Sequence, residues 1–146
     1  MTQPRTSAVV VRAEVTTDAI SAAELAKAVE HRAAGAVVTF DGVVRDHDGG
    51  RAVTALTYEA HPSADAVIAQ IAAEIAARPG LRAVALVHRV GNLTIGQTAL
   101  AVAVSADHRA PAFEAVRDLV EEVKTRLPVW KHQAFTDGTR TWSNLA

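Results

Sequence analysis

Lysine is rare in this sequence, and two of its three lysines lie close together. The 146 residues contain Lys27, Lys124 and Lys131, against twelve arginines. Arginine stays protonated in proteins, whereas a partly buried lysine can lose its proton. A lysine kept among so many arginines is therefore a candidate for amine or proton-transfer chemistry. The alternative interpretation is a charged helix end at Lys124, which the helix dipole favours, followed by a solvent-exposed strand lysine.

Three further basic residues lie at the predicted ends of strands and helices. His108 and Arg109 fall between a strand and a helix that starts near Pro111, where free backbone N–H groups favour an anion such as phosphate. The alternative is that Asp107 caps this helix while the two basic side chains point to water. Arg45 ends a strand beside a Gly-rich loop, from which its guanidinium could reach a ligand. A single arginine in that position is more often only solvated.

The remaining candidate groups do not indicate a metal centre. The six histidines show no HExxH or related spacing. Cysteine is absent, which excludes disulfides, thiolate nucleophiles and zinc-thiolate sites. No metal site is expected, and any sulfur that the protein handles must come from another molecule. Trp130 and Trp142 are interpreted as core or interface anchors.

Composition predicts a globular protein with no nucleic-acid or membrane partner. Hydrophobic residues make up 49% and charged residues 21%, and the length matches the commonest domain size, so residues 1–146 are taken as a single domain. A formal net charge of -1 leaves no broad cationic surface for a phosphate backbone. No apolar run approaches the roughly 20 residues of a membrane span. A cytoplasmic location is therefore the default expectation.

Hydrophobic patterning predicts an α+β fold. Runs rich in β-branched residues indicate strands at residues 8–15, 36–45, 53–59, 84–90, 98–105, 129–135 and 140–142. Two pairs are expected to form hairpins, the second strand with the third and the last two across Asp137-Gly138. Because helices alternate with hairpins, we expect a mixed or antiparallel sheet with its helices on one side.

Three helices are predicted between these strands. Ser21 and Glu24 form a capping box for the first, which should reach about Arg32 and stop at Gly35. Helical spacing of apolar residues indicates the second over residues 63–78 and the third over residues 111–127. The apolar residues expected on one face of the third helix are Phe113, Val116, Val120, Val123 and Leu127.

Five segments form a combination that is more specific than any of them alone. They are GAVVTFDGVVRDHDGG (35–50), the Tyr58-Glu59 strand end, HRVGNLTIGQ (88–97), HRAPAF (108–113) and KTRLPVWK (124–131). In order, and over nearly the whole chain, they resemble the large, catalytic subunit of molybdopterin synthase. The resemblance implies an α/β-hammerhead fold with a small β subdomain, and a homodimer that forms a heterotetramer with two copies of a small ubiquitin-like partner.

The resemblance also implies an activity. In that family the partner is a sulfur carrier whose C-terminal Gly-Gly bears a thiocarboxylate, and it donates sulfur twice to cyclic pyranopterin monophosphate during molybdenum cofactor biosynthesis. By similarity, Lys124 and Lys131 are the catalytic pair of this sulfurtransferase, and no bound cofactor is implied. The residues that would line the substrate site are Val43, Val44, Arg45, His108, Arg109, Lys124, Lys131, His132 and Gln133.

Two other functions are compatible with parts of the sequence. A non-catalytic α+β module could bind a phosphorylated metabolite, with His108, Arg109 and Arg45 as an anion clamp, and its lysines would then be dispensable. A purely structural dimerisation domain would leave these cationic residues unexplained.

Overall fold

The computed structural model describes residues 7–145, which form strands and helices in a mixed α+β arrangement. The strands are β1 (Val9–Thr16), β2 (Ala36–Val43), β3 (His47–Asp48), β4 (Arg51–Ala60), β5 (Leu81–Arg89), β6 (Gly91–Leu93), β7 (Thr98–Ala106), β8 (Val129–Phe135) and β9 (Arg140–Asn144). The helices are α1 (Ala22–Ala28), α2 (Ala64–Ala76) and α3 (Arg109–Arg126). The predicted α+β class is confirmed.

The first sheet has four strands in the order β1-β5-β7-β2, and β1 runs parallel to β5 while the other pairs are antiparallel. On one face, large side chains such as Val84, Leu86 and Val102 pack against α2 and α3. On the other face, small residues such as Ala85 and Ala103 pack against α1. The helices therefore do not all lie on one side. Because β5 and β7 are apolar on both faces, both faces must be covered.

The second sheet has five strands, in the order β3-β4-β8-β9 with β6 also paired to β4. The predicted hairpin between the strands 36–45 and 53–59 is wrong. Strand β2 pairs with β7 instead, and β4 pairs with β8. The reason is local, since Gly49 and Gly50 both take positive φ, 58° and 77°, and fold β3 back on β4 as a much tighter hairpin. The predicted hairpin of β8 and β9 is confirmed.

The helices start close to their predicted positions but differ in length and phase. Ser21 Oγ accepts a hydrogen bond from the Glu24 amide at 3.3 Å, as the capping box predicts, but α1 ends at Ala28 rather than near Arg32. Gly35 does not stop the helix, and a Cβ there would lie 2.7 Å from the Asp107 carbonyl oxygen.

Helix α3 buries a stripe that the apolar pattern only partly predicted. The buried residues are Ala112, Ala115, Val116, Leu119 and Val123. Phe113, assigned to this face from the sequence, is 59% exposed, because two alanines rather than the phenylalanine set the helix phase. None of the helices in residues 7–145 is long and apolar enough to span a membrane.

Candidate functional site

An open cavity lies where α3 ends, between the end of β2 and the strands β4 and β8. Its volume is about 320 Å³. It is lined by Val43, Val44, Arg45, Asp48, Leu56, Tyr58, Lys124, Lys131 and Gln133. We call it the lysine cavity. Six of the nine residues predicted for the substrate site line it, including both lysines.

The two lysines meet because the chain changes from helix to strand between them. Lys124 lies in the last turn of α3, directly after the buried Val123. The helix ends at Arg126, and β8 begins at Val129 after a short turn. Lys131 and Gln133 then lie two residues apart on β8, and a strand places such residues on the same face. The seven-residue spacing therefore places one lysine at the end of a helix and the other on the face of the next strand.

His132 does not belong to this face. Since successive strand residues point to opposite sides, its side chain lies behind the cavity wall, where its ring is 4.6 Å from the ring of Trp142. His132 therefore does not line the lysine cavity of its own chain, and its contact with substrate stays a prediction. Trp142 is 58% exposed and Trp130 is 43% exposed, so neither is a core anchor. Their role as interface anchors stays a prediction.

The two lysines have different electrostatic surroundings. Partial burial lowers the pKa of Lys124, the charge of Lys131 lowers it further, Glu121 opposes this, and Arg45 adds a smaller lowering. Lys131 has a counter-ion, because its Nζ lies 3.8 Å from Asp48 Oδ2. Among the described residues, no carboxylate lies within 4.0 Å of the Lys124 amine. Lys124 therefore loses its proton more readily than an exposed lysine, whereas Lys131 has an acid beside it.

Asp48 is a site residue that sequence reasoning missed. Its Oδ1 accepts a hydrogen bond from the Arg45 guanidinium at 3.2 Å, while its Oδ2 faces Lys131. The carboxylate thus joins two cations of the cavity. In the sequence it is one acid of a polar loop, and nothing in the loop distinguishes it from Asp46. Only the turn at Gly49 and Gly50 places it on β3 beside the cavity.

A smaller cavity of about 90 Å³ lies next to the lysine cavity and shares Val43, Tyr58 and Lys124 with it. We call it the inner cavity. His88 forms part of its wall and is only 2% exposed. Burial lowers the pKa of His88 to about 4. Its ring packs edge-on against Tyr58, with centroids 4.9 Å apart, and burial raises the pKa of that phenol. The sequence offered no chemical signal for either residue beyond the segments that carry the resemblance.

His108 and Arg109 lie at the other end of α3. Fifteen residues separate Arg109 from Lys124, which corresponds to about 22 Å along a helix at a rise of about 1.5 Å per residue. Both basic side chains are exposed. Within one chain they therefore do not line the lysine cavity, and they do not form an anion clamp with Arg45.

Asp107 does not cap α3, contrary to the alternative that the sequence left open. The N-cap residue is His108, whose side chain makes no capping hydrogen bond. The Asp107 carboxylate instead accepts two hydrogen bonds from the Arg82 guanidinium, at 2.5 and 3.0 Å. This pairing lowers the pKa of Asp107. The acid is thus neutralised by an arginine of β5, and the two basic residues that follow it stay in solvent.

The lysine cavity can stabilise negative charge and transfer protons. Its ammonium and guanidinium groups suit a developing oxyanion, and an amine with a lowered pKa suits proton transfer. In residues 7–145 no group of three or more His, Asp or Glu side chains is arranged to hold a metal ion.

Comparison with known proteins identifies the family of the chain. The sequence model described as "MoaE protein" matches residues 15–126. The molybdopterin synthase catalytic subunit of Bacillus subtilis is 41% identical over 128 residues, which cover 87% of this chain and 82% of that protein. The crystal structure of molybdopterin synthase from Staphylococcus aureus superposes with a TM-score of 0.82 at 34% identity, covering 90% of this chain and 96% of that one.

A more distant structure shares the fold. The complex of subunits 1 and 2 of molybdopterin-converting factor from Helicobacter pylori includes a chain that matches with a TM-score of 0.70 at 21% identity, covering 89% of this chain and 88% of its own. The family match covers most of the chain, including the end of β2, strand β4 and helix α3, and it ends before β8, which carries Lys131 and Gln133. The chain therefore belongs to the MoaE protein family.

Proposed function

We propose that this chain is the catalytic subunit of a molybdopterin synthase and transfers two sulfur atoms to cyclic pyranopterin monophosphate. The observation that carries the proposal is the convergence of Lys124, Lys131 and Arg45 in one cavity of a MoaE-family fold. The sulfur comes from the thiocarboxylated C-terminus of a small sulfur-carrier subunit, since the chain has no cysteine to hold it. In each transfer the thiocarboxylate sulfur bonds to a pterin carbon as an oxygen leaves that carbon, and water then cleaves the bond between the sulfur and the tail carbonyl, which leaves the tail as a carboxylate.

The two lysines have different catalytic roles because their surroundings differ. Lys131 has Asp48 as a counter-ion, and together with Arg45 it stabilises the oxyanion that develops during transfer. In residues 7–145 no carboxylate lies within 4.0 Å of the Lys124 amine, which is partly buried, so it exchanges a proton with the leaving oxygen. Val43, Val44 and Gln133 shape the cavity around the substrate.

The tail of the small subunit reaches the lysine cavity. An extended Gly-Gly tail is narrow, so it fits a channel walled by a strand such as β8. The Helicobacter pylori relative was solved as a complex of two subunits, which supports a partner for this chain as well. When the tail carries an activating group and no pterin is present, the Lys124 amine would attack the terminal carbonyl carbon. The activating group then leaves and an isopeptide bond forms. Mass spectrometry of the cross-linked peptide tests this, and a bond mapped to Lys27 would contradict the placement.

His108 and Arg109 act from a second copy of the chain. They lie about 22 Å along α3 from Lys124, by the helical rise of about 1.5 Å per residue, so they can reach a substrate in the lysine cavity only from the partner protomer of a homodimer. There they bind the phosphate of the substrate, which the free N–H groups of the α3 N-terminus also favour. The metabolite-binding alternative would likewise need two copies of the chain, because its three basic residues do not meet within one chain.

The decisive experiment is reconstitution. The protein is incubated with a thiocarboxylated small subunit and the cyclic pterin, and the dithiolene product is measured by mass spectrometry. A small subunit with an ordinary C-terminal carboxylate is the control, and the Lys27→Arg variant is the matched lysine control, because Lys27 lies on α1 outside the cavity. Product formation that depends on the thiocarboxylate is expected. Its absence with intact thiocarboxylate would overturn the proposed function.

The contribution of a second copy has its own test. Dimers that combine a Lys124→Ala protomer with an Arg109→Ala protomer retain one complete site if the site is shared across the interface. With substrate well below KM, mixed dimers should keep about half of the unaltered kcat/KM, against about a tenth for Arg109→Ala alone and about a hundredth or less for Lys124→Ala alone. No activity above the sum of the separate variants would show that Arg109 does not serve the partner's site.

A further inference from the structure

His88 is the most deeply buried ionisable side chain near the lysine cavity, and the chemistry proposed above does not use it. It lies near the end of β5 on the face that packs against α2 and α3, and it is 2% exposed. A buried imidazole with a free nitrogen is costly unless that nitrogen finds a partner. Its surroundings therefore need an explanation beyond packing.

The hydrogen bonds of His88 determine which nitrogen carries the proton. Nδ1 lies 2.7 Å from the carbonyl oxygen of Arg89. A carbonyl can only accept, so Nδ1 donates and carries the hydrogen. In a neutral ring Nε2 is then unprotonated and has a free lone pair. The edge-on packing of Tyr58 against the ring holds this orientation.

His88 forms part of the wall of the inner cavity. Among the described residues its Nε2 makes no hydrogen bond. The charge of Lys124 helps to lower the pKa of the ring, so the two groups are near each other. The inner cavity holds about 90 Å³ and is also lined by Lys124, so it has room for ordered water between the two groups.

Few other charged or polar groups of the described residues interact with the Lys124 amine. From α3 itself Glu121 acts on Lys124, and from β8 and the loop after β2 the cations Lys131 and Arg45 act on it. Tyr58 of β4 also borders the cavity, and its raised pKa keeps the phenol protonated. Asp48 is already shared by Arg45 and Lys131. His88 is thus a neutral acceptor beside an amine with no close carboxylate in the part of the chain that the structure describes.

We infer that His88 is a positioning residue that is linked to Lys124 by a water molecule in the inner cavity. The water accepts a hydrogen bond from the Lys124 amine and donates one to the unprotonated Nε2 of His88. His88 keeps the amine oriented toward the lysine cavity and stabilises its protonated form. Because His88 stays neutral above about pH 4, it accepts without adding charge. The inference rests on the proposed role of Lys124, and its test uses the titration of the lysine rather than turnover.

The test is a lysine titration by NMR. The chain has only three lysines, so the side-chain Cε and Nζ resonances of isotope-labelled protein resolve each of them, and Lys124→Arg and Lys27→Arg variants assign them. Loss of a hydrogen bond to the charged amine should lower the pKa of Lys124 in His88→Leu by about one unit, since such a bond contributes about 1.5 kcal/mol or more. His88→Gln, which keeps an acceptor at about the position of Nε2, should restore most of the shift.

Val87→Ala is the matched control. Val87 is equally buried on the same strand, but it packs toward α1 and does not line either cavity. This variant should leave the Lys124 titration unchanged. An unshifted Lys124 in folded His88→Leu would overturn the inference, and an equal shift in His88→Gln would show a merely structural role. The titration is measured without partner or substrate, so its outcome is independent of the reconstitution experiment.

A second measurement needs no variant. The ¹⁵N chemical shifts of the His88 ring in the unaltered protein report which nitrogen is protonated. The Nδ1–H form is expected throughout the neutral range, with an Nε2 shift that indicates hydrogen-bond acceptance. A proton on Nε2 would overturn the inference even if His88→Leu failed to fold.

Discussion

The two ends of helix α3 present cations in opposite settings. At the N-terminal end, His108 and Arg109 are exposed, and the nearby Asp107 is neutralised by Arg82. At the C-terminal end, Lys124 is partly buried beside other cations in a cavity. Burial next to like charges shifts a lysine pKa, whereas an exposed arginine keeps its charge. The same helix thus carries a site suited to proton transfer at one end and a site suited only to binding at the other.

The largest effects should come from the C-terminal end. We expect Lys124→Ala and Lys131→Ala each to lower turnover at least about a hundredfold, the usual scale for losing a proton-transfer or oxyanion-stabilising group. Single-turnover formation of the dithiolene measures this. Lys124→Arg sharpens the comparison, because it keeps the charge but cannot deprotonate. A fully active Lys124→Arg enzyme would mean that this end acts by charge alone, as the other does.

The N-terminal end should affect binding rather than turnover. We expect His108→Ala and Arg109→Ala to raise KM for the phosphorylated substrate by about tenfold, the scale of one lost hydrogen bond to a charged group. A phosphate remote from the reacting carbons is bound similarly in ground and transition states, so kcat should change little. Steady-state kinetics separate the two parameters. A fall in kcat at unchanged KM would break the distinction between the ends.

A smaller effect is expected at Asp48. Asp48→Asn removes the counter-ion of Lys131, and both side chains are partly exposed, at 33% and 27%. An exposed pair of this kind contributes about 0.2 to 1 kcal/mol, so kcat/KM should fall by no more than about fivefold. Asp46→Asn in the same loop is the control, because Asp46 does not line the cavity. A loss of a hundredfold would assign Asp48 a direct chemical role.

The smallest expected effect is on stability. The folded state lowers the pKa of Lys124 below 10.5, so the unfolded chain binds more protons and stability rises with pH between the two pKa values. Below that window the buried ammonium destabilises the fold, and Lys124→Met should raise the urea midpoint slightly at neutral pH. The gain should vanish as the pH approaches about 10.5. Arg109→Met should show no such pH dependence. A pH-dependent gain in that variant would contradict the explanation by partial burial of Lys124.

Local sequence determined most of the secondary structure. The β-branched runs, the Ser21 capping box and the Asp137-Gly138 hairpin acted within a few residues, and the structure has them close to where they were predicted. The lysine pair was also evident, because two lysines within eight residues stand out among twelve arginines. The resemblance supplied the family, which the comparisons confirm. These features can be predicted from the sequence because each depends on residues that are near one another along the chain.

Strand partners and the boundary of the cavity were decided by tertiary structure. Strand β2 pairs with β7, about 60 residues away, because its apolar face completes the main core, and no local pattern distinguishes that partner from β4. The same long-range packing brings Asp48, Tyr58 and His88 to the lysines and separates His108 from them. Burial and like-charge proximity arise only after such packing. The sequence by itself therefore determined which groups are available for chemistry, and only the fold decided which of them meet and which can change protonation.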